Sequence, residues 1–261
     1  MTRPGDTGPG PLRRGVSRPF LIVVLAASVV ACNSEGIPKT VSVRYSGDPV
    51  EVGPPPVDHG LTDQVSARLL AATVGVRGLD CPRAQVGTGF VVAGPLVVTA
   101  AHVVAGIEAP VLTVAGEELP SRVVGFDPVA DLALLQPVKG IHGPAPLEFG
   151  QPVAGSVGAI LVHEADGPRL VPAGLEQLIR AIGVDVYGRP TDGRDAMILS
   201  AGVLTGHSGA AVVDHAGRVV GVTFSRARGG SPVAYAVQAS AVTSLMERAE
   251  NSPEPAGPCI D

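Results

Sequence analysis

The sequence has no tryptophan, and aromatic residues make up only 3% of its 261 residues. Lysine occurs only at Lys39 and Lys139, and the basic residues are scattered singly, so the clustered positive face that a nucleic-acid backbone requires is missing. By contrast, glycine (34) and proline (25) are abundant, and 45% of the residues are hydrophobic. This composition predicts a globular, all-β chain of many short strands joined by tight turns, and excludes a disordered one.

The N-terminus has the features of an export signal. Arg13, Arg14 and Arg18 form a basic region, and the apolar stretch 19–31 that follows is too short for a typical membrane-spanning helix. The stretch ends in small residues before Cys32, as in a bacterial lipobox, which predicts residues 1–32 as a lipoprotein signal with Cys32 acylated and the membrane as a partner. A plainly cleaved signal or an uncleaved anchor are the alternatives. All three place the remaining chain outside the cytoplasm, in the cell envelope.

Cysteine is scarce, with three residues in all. If Cys32 carries lipid, Cys81 and Cys259 remain as an even pair in an oxidising compartment, which predicts a disulfide. Two unpaired buried thiols are the alternative.

The chain divides into a spacer and two lobes of similar pattern. Residues 33–60 are rich in proline and lack an apolar period, which is typical of a linker. Residues 61–150 begin with a helix-like stretch, 61–71, and residues 151–261 end with a helix, 239–250, and a proline-rich tail. Each lobe contains six predicted strands: 72–77, 86–92, 96–99, 111–114, 122–126 and 132–135 in the first, and 157–162, 178–186, 197–201, 210–213, 218–224 and 234–237 in the second.

Three residues have the chemistry that nucleophilic acyl transfer needs: a base, a carboxylate that orients it, and a hydroxyl. His102 stands at the end of a predicted strand in TAAHVV, and Asp131 directly precedes an apolar strand in DLALL. Ser208 lies in GHSGAAVV, where the flanking glycines permit a tight loop that exposes the hydroxyl and backbone N–H groups. Asp127 competes for the role of the acid, but the strand after Asp131 favours the latter.

At these strings the sequence resembles the trypsin-like serine proteases of the chymotrypsin fold, and in particular the bacterial HtrA/Deg branch with its actinobacterial periplasmic members. The resemblance implies two six-stranded antiparallel β-barrels with a C-terminal helix. It also implies a serine endopeptidase without a cofactor, acting on protein or peptide substrates, with His102 as base, Asp131 as its orienting acid and Ser208 as nucleophile. The N–H groups of Gly206 and Ser208 would form the oxyanion hole, and a disulfide between Cys81 and Cys259 matches the actinobacterial members.

One position departs from the family pattern. His207 precedes the nucleophile, where these proteases usually carry Asp or Asn. His207 could replace that side chain structurally, could couple the loop to pH because histidine titrates near pH 6.5, or could mark a loss of activity. A catalytically inactive binding scaffold of the same fold is therefore the alternative function.

The family spacing predicts a substrate pocket formed by residues 202–205 and 224–226. Its walls would be Gly202, Thr205, Phe224, Ser225 and Arg226, and no acid stands at the pocket base, Gly202, which favours a small or medium apolar side chain over Lys or Arg. The substrate would add as a strand along residues 224–226. The remaining histidines share no ligand spacing and predict no metal site: His59, His142, His163 and His215. A monomer is expected.

Overall fold

The computed structural model describes residues 44–45, for their backbone only, and residues 51–82, 84–94, 96–227, 229 and 231–260. Cys32 and the predicted signal lie outside these residues. All described residues belong to one compact unit, residues 38–261. None of the helices in these ranges is long and apolar enough to span a membrane.

The elements follow one another in the order predicted for two lobes of strands. The strands are β1 (Arg44–Tyr45), β2 (Thr73–Gly78), β3 (Gln85–Val92), β4 (Leu96–Thr99), β5 (Val111–Val114), β6 (Glu117–Asp127), β7 (Leu132–Pro137), β8 (Val157–Glu164), β9 (Gly167–Val184), β10 (Pro190–Ser200), β11 (Ala211–Val213), β12 (Val219–Arg226) and β13 (Val233–Gln238). The helices are α1 (Asp63–Ala71), α2 (Ala101–Val104) and α3 (Ala239–Asn251).

The first lobe is a closed antiparallel barrel in the order β2-β3-β4-β7-β6-β5. The barrel closes because β2 pairs with both β3 and β5, with Gly75 opposite Thr88 on one side and Thr113 on the other. Short β-branched and leucine side chains fill its interior in place of the scarce aromatics, with Phe90 and Leu134 among the fully buried residues. Closure leaves no long exposed strand edge in this lobe.

The second lobe is a sheet in the order β1-β9-β10-β13-β12-β11-β8, and β9 also pairs with β8. That pairing joins six of its strands, β8 to β13, into a ring. Ile160, Met197 and Leu199 are fully buried in the core of this lobe. The prediction of two six-stranded antiparallel lobes with a C-terminal helix is therefore confirmed.

Two features of the second lobe differ from the predicted strands. Strand β9 is 18 residues long and forms with β10 a hairpin that extends well beyond the predicted segments. Polar and glycine residues interrupt the apolar alternation of this hairpin, which is why the pattern underestimates it; the register shifts between Thr191 and Arg194. Strand β1 lies in the stretch interpreted as a spacer, where no strand was expected, and pairs Tyr45 with Ala181 of β9.

Both longer helices have identifiable ends and buried faces. Thr62 caps α1 by accepting a hydrogen bond from the N–H of Val65 at 3.4 Å. In α3 the side chains of Val242 and Leu245 are buried, as their spacing predicts, and the helix packs on β6 and β7. The chain after α3 thus returns from the second lobe to the first.

Candidate active site

His102 and Asp131 form a hydrogen-bonded pair at one end of the first barrel. His102 lies in the single-turn helix α2 that follows β4, and Asp131 lies in the turn before β7 with a φ of +58°, a conformation that Asp tolerates better than most residues. The N–H of His102 donates to Oδ1 of Asp131 at 3.0 Å, and its Nδ1 lies 3.0 Å from Oδ1 and 2.8 Å from Oδ2. Because an ionised carboxylate only accepts, the proton of the neutral ring stands on Nδ1, and Nε2 is a free base.

The electrostatics of the pair keep the acid charged and strengthen the base. Burial favours the neutral forms of both groups, but the mutual attraction and hydrogen bond are stronger. They raise the pKa of His102 above its ordinary value of 6.5 and lower the pKa of Asp131 below its ordinary value of 3.8. Asp131 is only 6% exposed. The carboxylate is therefore ionised at neutral pH and stabilises the imidazolium that forms when His102 takes a proton.

Arg194, on β10, adds a positive charge to this region. Its charge lowers the pKa of Asp131 and opposes the rise in the pKa of His102. The side chain is half-buried, and its Nη2 donates to the carbonyl of Val184 at 3.4 Å. The second lobe therefore contributes to the charge balance of a pair that belongs to the first.

Ser208 lies in a tight loop between β10 and β11 whose backbone depends on two glycines. Gly206 has a φ of +94° and Gly209 a φ of +85°, which disfavour any side chain. A Cβ at Gly209 would lie 2.3 Å from the carbonyl oxygen of Thr88, so the first barrel also excludes one by contact. The N–H groups of Gly206 and Ser208 donate to no other group in the part of the chain that the structure describes.

Thr88, on β3, joins this loop to the first barrel. Its N–H donates to the carbonyl of Ser208 at 2.8 Å, and its hydroxyl donates to the carbonyl of Gly206 at 2.9 Å. The same hydroxyl accepts from the N–H of His163, on β8, at 3.0 Å. Thr88 is completely buried. The conformation of the loop is therefore fixed in part by a side chain more than a hundred residues away in sequence.

His207 is buried, with 1% exposure, and both its ring nitrogens are used. Nδ1 accepts from the N–H of Leu204 at 3.1 Å, so the ring proton is on Nε2, which donates to Oε1 of Glu164 at 3.0 Å. Burial lowers the pKa of His207 below 6.5 despite the nearby Glu164 carboxylate. The ring is thus neutral near pH 7 and ties the loop to the end of β8.

His102 and Ser208 line the same cleft, of about 510 Å³. The other described residues of its lining are Ala84, Gln85, Val86, Val103, Val203, Leu204, Thr205, Gly206, Thr223, Ser225, Arg226 and Ile260. None of them is acidic, and Val86 and Leu204 are apolar side chains with 60% and 57% exposure. The cleft that contains Ser208 therefore offers exposed apolar surface.

Only three of the five residues predicted to bind substrate line the cleft. Thr205, Ser225 and Arg226 line the cleft with Ser208. Gly202 is exposed and lies outside this lining, and a Cβ placed on it would meet no atom within 4 Å. Phe224 is buried, with 6% exposure, and also lies outside the lining.

The predicted disulfide is present. Cys81 and Cys259 are bonded with a Cα–Cα distance of 5.9 Å and lie 178 residues apart in sequence. The bridge joins the segment between β2 and β3 to the tail that follows α3. Two unpaired thiols are thereby excluded.

Asp127 and the four remaining histidines lie outside the cleft. Asp127 accepts from the N–H groups of Val129 and Ala130 at 3.0 and 2.8 Å and so caps the turn before Asp131. His142 and His215 are exposed, whereas His59 and His163 are half-buried. Within the described ranges no three His, Cys, Asp or Glu side chains are grouped to hold a metal ion.

Sequence reasoning did not find Thr88, Glu164 or Arg194. Thr88 lies within the predicted strand 86–92, but nothing local distinguishes its hydroxyl from that of any strand threonine. Glu164 and Arg194 lie on hairpins with no recognisable motif. The unusual residue at position 207 suggested that the His207 ring replaces another side chain in the loop, but the sequence did not identify Glu164 as its partner.

The comparisons with known proteins agree with this geometry. Residues 87–222 match the model of the family described as trypsin-like peptidase domain. The chain is 29% identical over 235 residues to serine protease Rv3671c of Mycobacterium tuberculosis (strain ATCC 25618 / H37Rv), an alignment that covers 87% of this chain and 58% of the relative. It is 31% identical over 180 residues to a probable periplasmic serine endoprotease DegP-like of Brucella suis biovar 1 (strain 1330), covering 66% of this chain and 34% of the relative.

Among solved structures, the active form of the Rv3671c protease from M. tuberculosis superposes with a TM-score of 0.74 at 29% identity. The match covers 84% of this chain and 98% of that one. The chain thus spans about 58% of the length of the first curated relative but nearly all of its crystallised protease.

Proposed function

The chain belongs to the trypsin-like peptidase family, and we propose that it is a serine endopeptidase that hydrolyses peptide bonds through an acyl-enzyme on Ser208. The observation that carries the proposal is the hydrogen-bonded pair of His102 and Asp131, with His102 lining the same cleft as Ser208. This supports His102 as base, Asp131 as its orienting acid and Ser208 as nucleophile.

In the first half of the reaction, Oγ of Ser208 attacks the carbonyl carbon of the scissile bond while Nε2 of His102 takes the hydroxyl proton. Asp131 holds the ring by its Nδ1–H and stabilises the imidazolium, consistent with the raised pKa of His102. The imidazolium then donates its proton to the leaving amine as the C–N bond breaks. The products are the amine and an ester on Ser208.

The negative charge that develops on the carbonyl oxygen needs donors that are already in place. The N–H groups of Gly206 and Ser208 meet this need because they have no other acceptor among the described residues. Thr88 and His207 support the oxyanion hole by holding the same loop. Donors of this kind contribute roughly a hundredfold or more to the rate in related chemistry.

In the second half, water takes the place of the amine. His102 removes a proton from water as it attacks the ester, and then returns a proton to Oγ of Ser208 as the acyl bond breaks. The carboxylic acid product leaves, and the hydroxyl is restored. No cofactor enters either half.

The apolar cleft without acidic lining supports a small or medium apolar side chain on the acyl side of the scissile bond. Thr205, Ser225 and Arg226 would contact this part of the substrate. Arg226 is exposed at the rim, and its charge would disfavour a basic residue nearby. Gly202 and Phe224 would act through the shape of the pocket rather than by contact.

The buried ring of His207 supports its role as a structural replacement for the usual Asp or Asn. Both its nitrogens are satisfied, and one of them accepts a loop N–H, as a carboxylate or amide oxygen would. This favours an active enzyme over the binding scaffold.

The proposed location is the cell envelope, outside the cytoplasm. The N-terminal signal pattern, the disulfide and the periplasmic relative support export. Acylation of Cys32, a linker over residues 33–60 that β1 attaches to the second lobe, and a monomeric protease are further parts of the proposal. Mass spectrometry of the mature N-terminus tests the first of these, and native mass spectrometry tests the last.

Labelling with a fluorophosphonate probe tests the proposed activity. The purified full chain should be labelled, with the adduct on Ser208, and Ser208→Ala should fold equally well but remain unlabelled. His102→Ala should also lose labelling, because the nucleophile then has no base. A folded, disulfide-bonded protein that takes no label and cleaves no peptide would contradict the proposal and favour the binding scaffold.

A further inference from the structure

The tail after α3 is fixed at several points, to the first barrel and to the turn between β9 and β10. The N–H of Glu254 donates to the carbonyl of Val124 at 3.2 Å. Gly257 lies so close to the ring of Tyr187 that an added Cβ would be 2.1 Å from its hydroxyl oxygen. Cys259 is then bonded to Cys81. These contacts determine where the next residue, Ile260, can lie.

The segment between β2 and β3 and the turn after α2 hold Cys259 from two sides. A Cβ added at Gly106, which has a φ of +75°, would lie 2.4 Å from the backbone nitrogen of Cys259. The tail backbone therefore packs directly on the chain that follows His102. Ile260, one residue beyond, is half-buried and lines the cleft that contains His102 and Ser208.

The start of β3 lines the same cleft as Ile260. Val86 leaves 60% of its residue surface exposed and lines this cleft. The amide nitrogen of the neighbouring Gln85 donates to the carbonyls of His102 and Val103 at 2.9 and 2.7 Å. This fixes the start of β3 beside α2.

We infer that Ile260 and Val86 form an apolar subsite for a residue on the leaving-group side of the scissile bond. The inference rests on the proposed function. The acyl side of the peptide would lie against Thr205, Ser225 and Arg226, so the chain beyond the scissile bond must leave Ser208 in the other direction. Gln85, Val86 and the tail, which line the same cleft, would lie on that side.

The chemistry of this wall selects an apolar side chain. A leucine or similar residue would cover the exposed surface of Val86 and the free part of Ile260, whereas a charged residue would lose hydration there without gaining a partner. Because the disulfide already orders the tail, little conformational freedom remains to be lost when the substrate binds. Ile260 is thus a specificity-determining residue contributed by a segment far from the catalytic strings.

Two series of internally quenched peptides test the inference with the full-length protein. In the first series only a residue after the scissile bond varies, between Leu and Lys; in the second only a residue before it varies. The wild type should cleave the Leu peptide of the first series with about tenfold higher kcat/KM than the Lys peptide. Ile260→Asp should abolish or reverse this ratio, and Ile260→Ala should reduce it.

Val153→Asp is the matched control, because Val153 is 63% exposed and lies outside the described lining of the cleft. It should keep the wild-type ratio in both series. If Ile260→Asp cleaves the peptides with an unchanged ratio, the subsite does not exist, although the proposed function stands. If only the second series responds, the wall belongs to the acyl side and the inference is wrong. A wild type that cleaves neither series and takes no label on Ser208 overturns the proposed function as well.

Discussion

The guanidinium carbon of Arg194 lies 4.4 Å from the centre of the Phe224 ring, so the cation is stacked on an aromatic face within the second lobe. The ring orients a side chain whose charge acts on Asp131 and His102 in the first lobe. Phe224, predicted as a pocket wall, thus supports the electrostatics of the site from outside the cleft.

Replacing Arg194 should change the pH dependence of activity. The positive charge lowers the pKa of His102, and the base works only when it is neutral. In Arg194→Gln the pKa of His102 therefore rises, and the acid limb of kcat/KM should move to higher pH. The check is a pH–rate profile on one peptide; Arg194→Lys, which keeps the charge, should move it less. Coincident profiles for all three proteins would mean that the charge does not reach His102.

Removing the hydroxyl of Thr88 should lower kcat with a smaller effect on KM. Thr88→Val keeps the shape of the side chain but loses the hydrogen bonds to Gly206 and His163. We expect a loss of about tenfold in kcat, less than for removal of an oxyanion donor itself. Thr88→Ser restores the hydroxyl and should recover most of the activity. Equal losses in the two variants would point to packing as the cause.

The loss of stability in acid should depend on His207. The unfolded chain protonates a histidine near pH 6.5, whereas burial keeps folded His207 neutral to lower pH, so the unfolded state binds more protons. The free energy of unfolding therefore falls as the pH drops below about 6.5. His102, whose pKa is raised on folding, has the opposite effect on the free energy of unfolding, but it is present in both the wild type and a His207 variant and so does not affect their comparison.

Thermal midpoints of the wild type and His207→Asn isolate this contribution. Between about pH 7.5 and about pH 5 the midpoint of the wild type should fall more than that of the variant. Glu164 and Arg169 also face the ring, so both measurements belong at one ionic strength. A variant that is equally sensitive to acid would assign the loss to other groups.

The disulfide should contribute strongly to stability because it closes a loop of 178 residues. The double variant Cys81→Ser/Cys259→Ser should lose about 2–5 kcal/mol of unfolding free energy, measured by urea denaturation. The wild type in a reducing agent should approach the same value. A loss below about 1 kcal/mol would mean that the packing of Glu254 and Gly257 alone secures the tail.

The two-lobed fold was predictable because its strands are short, apolar and separated by glycine and proline turns. The strings around His102, Asp131 and Ser208 likewise predicted a common site, and the structure pairs His102 with Asp131 and lines one cleft with His102 and Ser208. Strand β9 was underestimated because its first half, residues 167–177, carries polar, glycine and proline residues between the apolar ones and is held by pairing with β8 over residues 167–174. Patterns of hydrophobicity do not record that kind of support.

The supporting residues of the site could not be predicted for a different reason. The contact of Thr88 with Gly206 spans 118 positions, and that of His207 with Glu164 spans 43. The first contact depends on how the two lobes meet and the second on how β8 approaches the loop of Ser208 within one lobe, and no local string encodes either. Ile260 lies in the cleft because the neighbouring Cys259 is bonded to Cys81. The sequence predicted this pairing, but it did not predict where the disulfide lies in the fold.

The hydrogen bond from the N–H of Thr88 to the carbonyl of Ser208 joins β3 of one lobe to a loop of the other. During synthesis and folding, the nucleophile loop therefore has its final conformation only after both lobes have formed and docked. Contacts between distant parts of a chain form late and slowly. An unfinished chain would carry His102, Asp131 and Ser208 but no organised site, so the proposed hydrolytic activity would begin only when folding is complete.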